Sequence, residues 1–138
     1  MNTPALLIAA SATVFGVLGV LHLALTFYGP KFDPREAGLK DRMMATSPVI
    51  SRQMTMWQAW IGFNASHSYG VILFGAVWGY LALLQPVFLF QSGFLLALGM
   101  LVLLAYGVVA KIYWFSTPFR GVMLAAVLYG LGLATHFA

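Results

Sequence analysis

The position of the charges is the strongest constraint on how this chain can fold. All ten charged side chains, seven Lys and Arg and three Asp and Glu, fall in two short segments, 31–52 and 111–120. The remaining stretches are long and apolar. Because a charged group in the hydrocarbon of a bilayer costs several kcal/mol, uncharged stretches can cross a membrane while the charged segments stay outside. The sequence therefore predicts an all-α, integral membrane protein.

The composition excludes several other classes of protein. Charged residues make up 7% of the chain, whereas soluble domains carry about 25%, so a water-soluble fold could not cover its surface. The net charge is +4, but the basic residues flank apolar stretches and so indicate membrane topology, not nucleic-acid binding. The chain has no cysteine, which excludes disulfides, thiolate metal sites and cysteine nucleophiles.

Four apolar stretches are long enough to cross a bilayer core of about 30 Å, which needs about 20 helical residues. Proline-containing pairs and helix caps place the boundaries. The predicted helices are about 4–28, 48–84, 86–111 and 118–138, in a single four-helix domain over 1–138. The first apolar run is longer than a signal-peptide core of about 7–15 residues and has no preceding Lys or Arg, so we expect a retained helix.

The segment of about 34–45 predicts a short amphipathic helix on the membrane surface. Asp33 would be its N-cap, Pro34 its first residue and Glu36 the acidic partner in a capping box. Leu39 and Met43 are four residues apart and give the segment one apolar side.

Orientation follows from the loops. The loops between helices 1 and 2 and between helices 3 and 4 hold all seven Lys and Arg residues. The positive-inside rule predicts that both loops are cytoplasmic and that both termini lie outside, in the inner membrane of the cell. The lipid bilayer is then the first predicted partner.

The densest polar stretch within a span is 57–70 of helix 2. At 100° per residue, one helix face collects several polar and aromatic residues: Trp57, Trp60, Asn64 and His67, with Ser68 at its edge. Gly62, Ser66 and Gly70 form a separate line of small residues, on which another helix can pack closely.

Histidine and tyrosine on the neighbouring helices complete a predicted site. His22 of helix 1 and Tyr106 of helix 3 are expected at a depth similar to that of Asn64. If helices 1 and 2 are neighbours, His22, Asn64 and His67 line one cavity in the cytoplasmic half of the membrane. Trp57 and Trp60 would form its mouth.

Structural roles explain part of the same pattern. Intramembrane Asn, Ser and His side chains often bond between helices, each contributing about 0.6–2 kcal/mol. Aromatic residues also collect at membrane interfaces. This predicts one aromatic belt from Trp57, Trp60, Tyr113 and Trp114, and a second from Trp78 and Tyr80.

Three functions stay open. The first is binding of a small apolar or amphipathic ligand in this cavity, with His67 and Asn64 acting on a lipid-soluble substrate if the site is catalytic. The second is a non-catalytic accessory or assembly subunit of a larger membrane complex. The third is a b-type haem carrier with His22 and His67 as axial ligands, although their estimated depths differ by roughly 6 Å.

The spans lack the groups that several other chemistries need. No Asp or Glu lies in a predicted span, which argues against ion-coupled transport and against carboxylate-bridged metal pairs. No two histidines are four residues apart, so we expect no zinc site. A bundle of this size exposes much side surface, so a homo-oligomer or a larger complex is expected, with Gly75-x-x-x-Gly79 as a candidate contact.

The stretch Trp57-x-x-Trp60-x-Gly-Phe-Asn64-x-Ser-His67-Ser68-x-Gly, with His22 upstream, resembles an uncharacterised group of small bacterial four-span inner-membrane proteins. The resemblance covers most of the chain, and its specific motif is this one stretch. It implies four helices and a bacterial origin, and it implies no activity. The chain lacks the helix 1 acid of small multidrug transporters and the charged site residues of four-span glutathione-transferase-like proteins.

Overall fold

The computed structural model describes residues 2–138. Within this range the chain contains no β-strand and forms six helices: α1 (Thr3–Phe27), α2 (Leu39–Ala45), α3 (Met56–Leu84), α4 (Pro86–Gln91), α5 (Gly93–Tyr113) and α6 (Ser116–Phe137). Four of these, α1, α3, α5 and α6, are long and apolar enough to cross a membrane. The predicted all-α, four-span fold of a multi-pass membrane protein is therefore confirmed.

Two of the predicted helix boundaries follow from proline and glycine. Gly29 has φ +85° and directly precedes Pro30. A left-handed residue followed by proline ends a helix, so α1 stops at Phe27, one residue before the predicted end at about 28. Pro86 occupies the first turn of α4, where its missing N–H leaves no helical bond unmade.

The start of the second span was predicted wrongly. Residues 47–55 are not helical, and α3 begins at Met56. The N–H of Gln58 donates to Thr55 Oγ1 at 3.2 Å, and the N–H of Thr55 donates to Gln58 Oε1 at 2.8 Å. This reciprocal pair is a capping box, so Thr55 caps the helix instead of Ser47.

The amphipathic segment also differs from the prediction. Its helix is only Leu39–Ala45, and it follows Gly38, whose φ of +77° favours glycine. Asp33 caps no helix; both of its carboxylate oxygens accept from Lys40 Nζ at 3.0 Å. Glu36 pairs with Arg42 on the surface. The acidic residues thus form ion pairs where the sequence indicated a capping box.

The third predicted helix is divided in two. Ser92 has φ −99° and ψ 92° and separates α4 from α5. Its hydroxyl accepts from the N–H of Leu95 at 3.3 Å, which caps α5. The serine offers the backbone an alternative to the helical bond, and this ends α4 at Gln91.

The chain groups into two compact units. The first, here called the helical unit, comprises the described residues up to Leu18 together with Val71–Ala138. The second, here called the loop unit, is Gly19–Gly70. The helical unit holds the aromatic core, and the loop unit holds most of the predicted site.

An aromatic cluster forms the core of the helical unit. The ring of Trp78 stacks on Phe74 with centroids 4.5 Å apart, and its Nε1 donates to Tyr129 Oη at 3.0 Å. Tyr129 is completely buried, and Trp78 is 8% exposed. Trp78 thus packs in the core of the helical unit, whereas Tyr80, which the sequence assigns to the same aromatic belt, is exposed.

Small residues bring α1 and α3 close together within the helical unit. A Cβ placed on Gly75 would lie 2.7 Å from Gly16 Cα and 2.9 Å from the carbonyl oxygen of Ala12. Gly79 faces the same helix, since its Cβ would lie 3.8 Å from Ala12 Cβ. The Gly75-x-x-x-Gly79 pair thus packs within the chain, which corrects its assignment as a contact for self-association.

The other predicted line of small residues on α3 does not pack against another helix in the described part of the chain. Gly62, Ser66 and Gly70 are all exposed, and a Cβ on Gly62 would meet nothing within 4 Å. The buried positions of this part of α3 are Asn64, Ala65 and Ser68. The predicted packing seam is therefore an exposed face of the loop unit.

Candidate functional site in the loop unit

Six of the seven predicted site residues belong to the loop unit. His22 lies near the end of α1, and the other five lie in the first four turns of α3: Trp57, Trp60, Asn64, His67 and Ser68. The capping box at Thr55 fixes where α3 begins and thereby sets the rotational position of these side chains.

Asn64 connects the two helices. Its Nδ2 donates to the carbonyl of Trp60 at 2.8 Å, and its Oδ1 lies 3.1 Å from His22 Nε2. Because Nδ2 faces a carbonyl, Oδ1 accepts from Nε2–H of His22. In the neutral imidazole this leaves Nδ1 of His22 as an acceptor. Asn64 is buried at 6% exposure, and it fixes both the position and the tautomer of the histidine.

His67 packs directly against this pair. The rings of His22 and His67 meet edge to face with centroids 5.4 Å apart. On its other side, His67 stacks with Phe63 at 6.3 Å. Both histidines are partly exposed. The structure thus brings His22, Asn64 and His67 together into one polar cluster.

Two hydroxyl groups next to the cluster are satisfied within their own helices. Ser68 Oγ donates to the carbonyl of Asn64 at 2.8 Å and is completely buried. Thr26 Oγ1 donates to the carbonyl of His22 at 2.7 Å. Ser68 was predicted as a ligand-binding residue, but its hydroxyl is buried and already bonded to the carbonyl of Asn64.

Sequence reasoning missed Phe32, which completes the site from the loop after α1. Its ring packs against His22 at 4.9 Å, and its carbonyl accepts from Trp60 Nε1 at 3.2 Å. Because Phe32 is a single aromatic residue in a charged, irregular loop, no sequence pattern indicates that it belongs to the site. Trp60 is therefore bonded to the loop as well as to Asn64.

Trp57 and Trp60 line an open cleft on the loop side of the site. The cleft has a volume of about 360 Å³, and its walls are Lys31, Phe32, Asp33, Pro34, Met43, Trp57 and Trp60. Lys40 Nζ lies 4.6 Å from the centre of the Trp57 ring and also pairs with Asp33. The cation–π contact and the ion pair together hold the loop against α3.

Tyr106 belongs to the helical unit and not to the loop unit. Its ring meets Phe15 edge to face at 5.1 Å and Trp114 at 6.3 Å. In that unit it is a partly buried packing residue beside the aromatic core.

In this structure, His22 and His67 are not arranged as axial ligands on opposite sides of a haem. Axial ligands direct a ring nitrogen at the iron from opposite sides. Here the two rings are in edge-to-face contact, and Nε2 of His22 is bonded to Asn64. Among residues 2–138, no three His, Cys, Asp or Glu side chains are grouped to hold a metal ion.

Comparisons with protein-family models, with curated proteins and with solved structures found no match to this chain. The function must therefore be argued from the site itself. The site offers imidazole donors and acceptors in the polar cluster and an aromatic cleft beside it. Phe32 and Trp60 contact both.

Proposed function

We propose that this protein binds a small amphipathic molecule at the loop unit. The apolar part of the ligand lies in the cleft against Trp57, Trp60 and Met43, and its hydrogen-bonding group reaches the polar cluster. The observation that supports this proposal is the His22–Asn64 bond at 3.1 Å, which fixes an imidazole beside an aromatic cleft.

The chemistry of the two parts favours an amphipathic ligand. Phenylalanine and tryptophan supply large apolar surfaces, and ligand sites combine such surfaces with a few fixed polar groups. Nδ1 of neutral His22 accepts a hydrogen bond, and His67 adds a second imidazole next to it. A hydroxyl or carbonyl on a lipid-soluble molecule suits this pair, and an imidazole also allows proton transfer to such a group.

The test is native mass spectrometry of the protein extracted in mild detergent from the membranes of its own host. We expect a co-purifying mass excess of a few hundred daltons on the wild-type protein. His67→Ala should lose this excess while keeping the helical circular dichroism spectrum. Tyr69→Ala, a matched control at an exposed aromatic on the same helix, should retain it. A bare wild-type protein, or equal retention by His67→Ala, would refute the proposal.

We further propose that the charged loops face the cytoplasm in the inner membrane and that both termini lie outside. The support is the positive-inside rule together with the four spans. The chain has no native cysteine, so single cysteines report topology cleanly. In intact cells, a membrane-impermeant maleimide should label Gln85→Cys and not Ser47→Cys; the reverse result would invert the orientation.

A second proposed function is that of an assembly subunit in a larger membrane complex. It is favoured by the exposed small-residue face of α3, which carries the exposed side chains of Phe63 and Tyr69. Mild extraction should then yield a stoichiometric protein partner that is lost in Gly62→Leu. A lone species in wild-type extracts would contradict this alternative and leave ligand binding unaffected.

A further inference from the structure

An open groove lies between α5 and α6 in the helical unit. It has a volume of about 430 Å³, and its lining includes Leu104, Gly107, Val108, Met123 and Ala126, with Lys111 at one end. Every lining residue except Lys111 is apolar. From Leu103 to Lys111 the groove follows α5 for roughly 12 Å at 1.5 Å per residue.

Small residues account for the shape of the groove. Gly107 is buried and carries no side chain, and Ala126 on α6 carries only a methyl group. The larger side chains of Leu104 on α5 and Met123 on α6 are exposed and form the walls of the groove. The result is an apolar groove with small residues at its floor, a shape that suits an extended hydrocarbon chain.

The charges at the end of the groove have no acidic partner within the helical unit. Lys111 lies 5.2 Å over the ring of Phe119, and the next residue, Arg120, is exposed near the start of α6. All three acidic residues of the chain, Asp33, Glu36 and Asp41, belong to the loop unit. Lys111 lines the groove itself, and Arg120 lies three residues, about one helical turn, before the lining residue Met123 on α6. Helical spacing thus places both cations toward the same end of the groove.

We propose that this groove binds an anionic phospholipid. One acyl chain lies in the groove, and the phosphate headgroup contacts Lys111 and Arg120 at its end. Basic residues at the end of an intramembrane groove attract anionic headgroups, and long basic side chains extend readily toward the headgroup level. A zwitterionic lipid is disfavoured because its own cation would be placed beside two others. This site is independent of the ligand proposed for the loop unit.

The proposal is tested with the full-length protein in detergent, titrated with phosphatidylglycerol or phosphatidylcholine of identical chains and followed by native mass spectrometry. We expect tighter binding of phosphatidylglycerol. Since a basic residue near an anionic headgroup contributes about 1 kcal/mol, Lys111→Gln and Arg120→Gln should each lower that preference about fivefold. Both residues are exposed, so the variants should fold normally.

Three comparisons make the result decisive. Lys111→Arg should keep the preference, and Arg52→Gln, which removes an exposed cation of the loop unit, should leave it unchanged. Ala126→Leu should weaken both lipids by filling the groove, and Gly107→Ala serves the same purpose if that variant fails to fold. A Cβ on residue 107 would lie 3.6 Å from Met123 Sδ, which is an ordinary van der Waals contact, so Gly107→Ala should fold. Equal wild-type affinity for the two lipids, or an equal loss in Arg52→Gln, would overturn the proposal.

Discussion

His22 Nε2 lies 3.1 Å from Asn64 Oδ1, and this one bond joins α1 to α3 across 42 residues of sequence. The asparagine is oriented by its own helix, because its Nδ2 donates to the carbonyl of Trp60. A rigid amide therefore holds a histidine at the edge of an aromatic cleft. The bond serves both the packing of the loop unit and the proposed ligand site.

Replacing Asn64 with leucine should destabilise the protein, because it removes the acceptor of His22 Nε2–H. Hydrogen bonds between membrane helices contribute about 0.6 kcal/mol on average and at most about 1.7 kcal/mol. We expect the free energy of unfolding of Asn64→Leu to fall by about 1 kcal/mol. Reversible unfolding in mixed micelles, followed by near-UV circular dichroism, measures this change.

Serine provides a matched control for that experiment. Ser66 is exposed, and its hydroxyl bonds to the carbonyl of Phe63 in its own helix. Ser66→Ala should therefore leave the free energy of unfolding unchanged. Equal stability of Asn64→Leu and wild type would show that the His22 bond contributes nothing to the fold.

Gly75→Ala should be strongly destabilising, whereas Gly79→Ala should be tolerated. A Cβ on Gly75 would lie 2.7 Å from Gly16 Cα, and backbone atoms cannot move aside as a flexible side chain can. The same atom on Gly79 would lie 3.8 Å from Ala12 Cβ, an ordinary contact. Overpacking typically costs about 1–3 kcal/mol. Thermal unfolding of the two variants in one detergent measures the contrast, and similar losses in both would contradict the close approach of α1 and α3.

The four spans could be predicted from sequence because charge and hydropathy alone determine which stretches can lie in lipid. Features that depend on contacts between distant residues could not. For example, the sequence around Trp78 does not indicate that its indole N–H is buried and bonded to Tyr129, which lies 51 residues away. Similarly, the sequence around Asp33 is typical of a helix N-cap, but in the structure its carboxylate pairs with Lys40.

Helical spacing predicted which residues of α3 share a polar face, but it did not predict which residues of other segments contact that face. Phe32 lies in an irregular loop, so no periodicity indicates that its ring reaches His22. Tyr106 was predicted from its depth in the membrane, and depth does not indicate which side chains within its own unit it contacts. It lies in the helical unit beside Phe15.

Tyr129→Phe should lower stability while leaving the packing of the ring in place. The phenol oxygen accepts from Trp78 Nε1 and lies within 3.4 Å of the carbonyls of Leu95 and Leu96. Without it, Trp78 Nε1 keeps only the longer bond to Leu95 at 3.3 Å. We expect a loss of about 0.5–1.5 kcal/mol and a shift in tryptophan fluorescence. Tyr80→Phe, at an exposed tyrosine, should change neither.

Thr55→Ala should loosen the first turn of α3 and, through it, the proposed site. The threonine hydroxyl accepts from the N–H of Gln58, and the side-chain oxygen of Gln58 accepts from the N–H of Thr55. Loss of such a cap costs about 0.5–2 kcal/mol. Because Trp57 and Trp60 lie in the first two turns, amide hydrogen exchange should rise there and stay unchanged in α6. Thr135→Ala is the control, since that hydroxyl bonds only to carbonyls near the end of α6. Unchanged exchange at Trp57 in Thr55→Ala would mean that the loop contacts of Lys40, and not the cap, fix the start of α3.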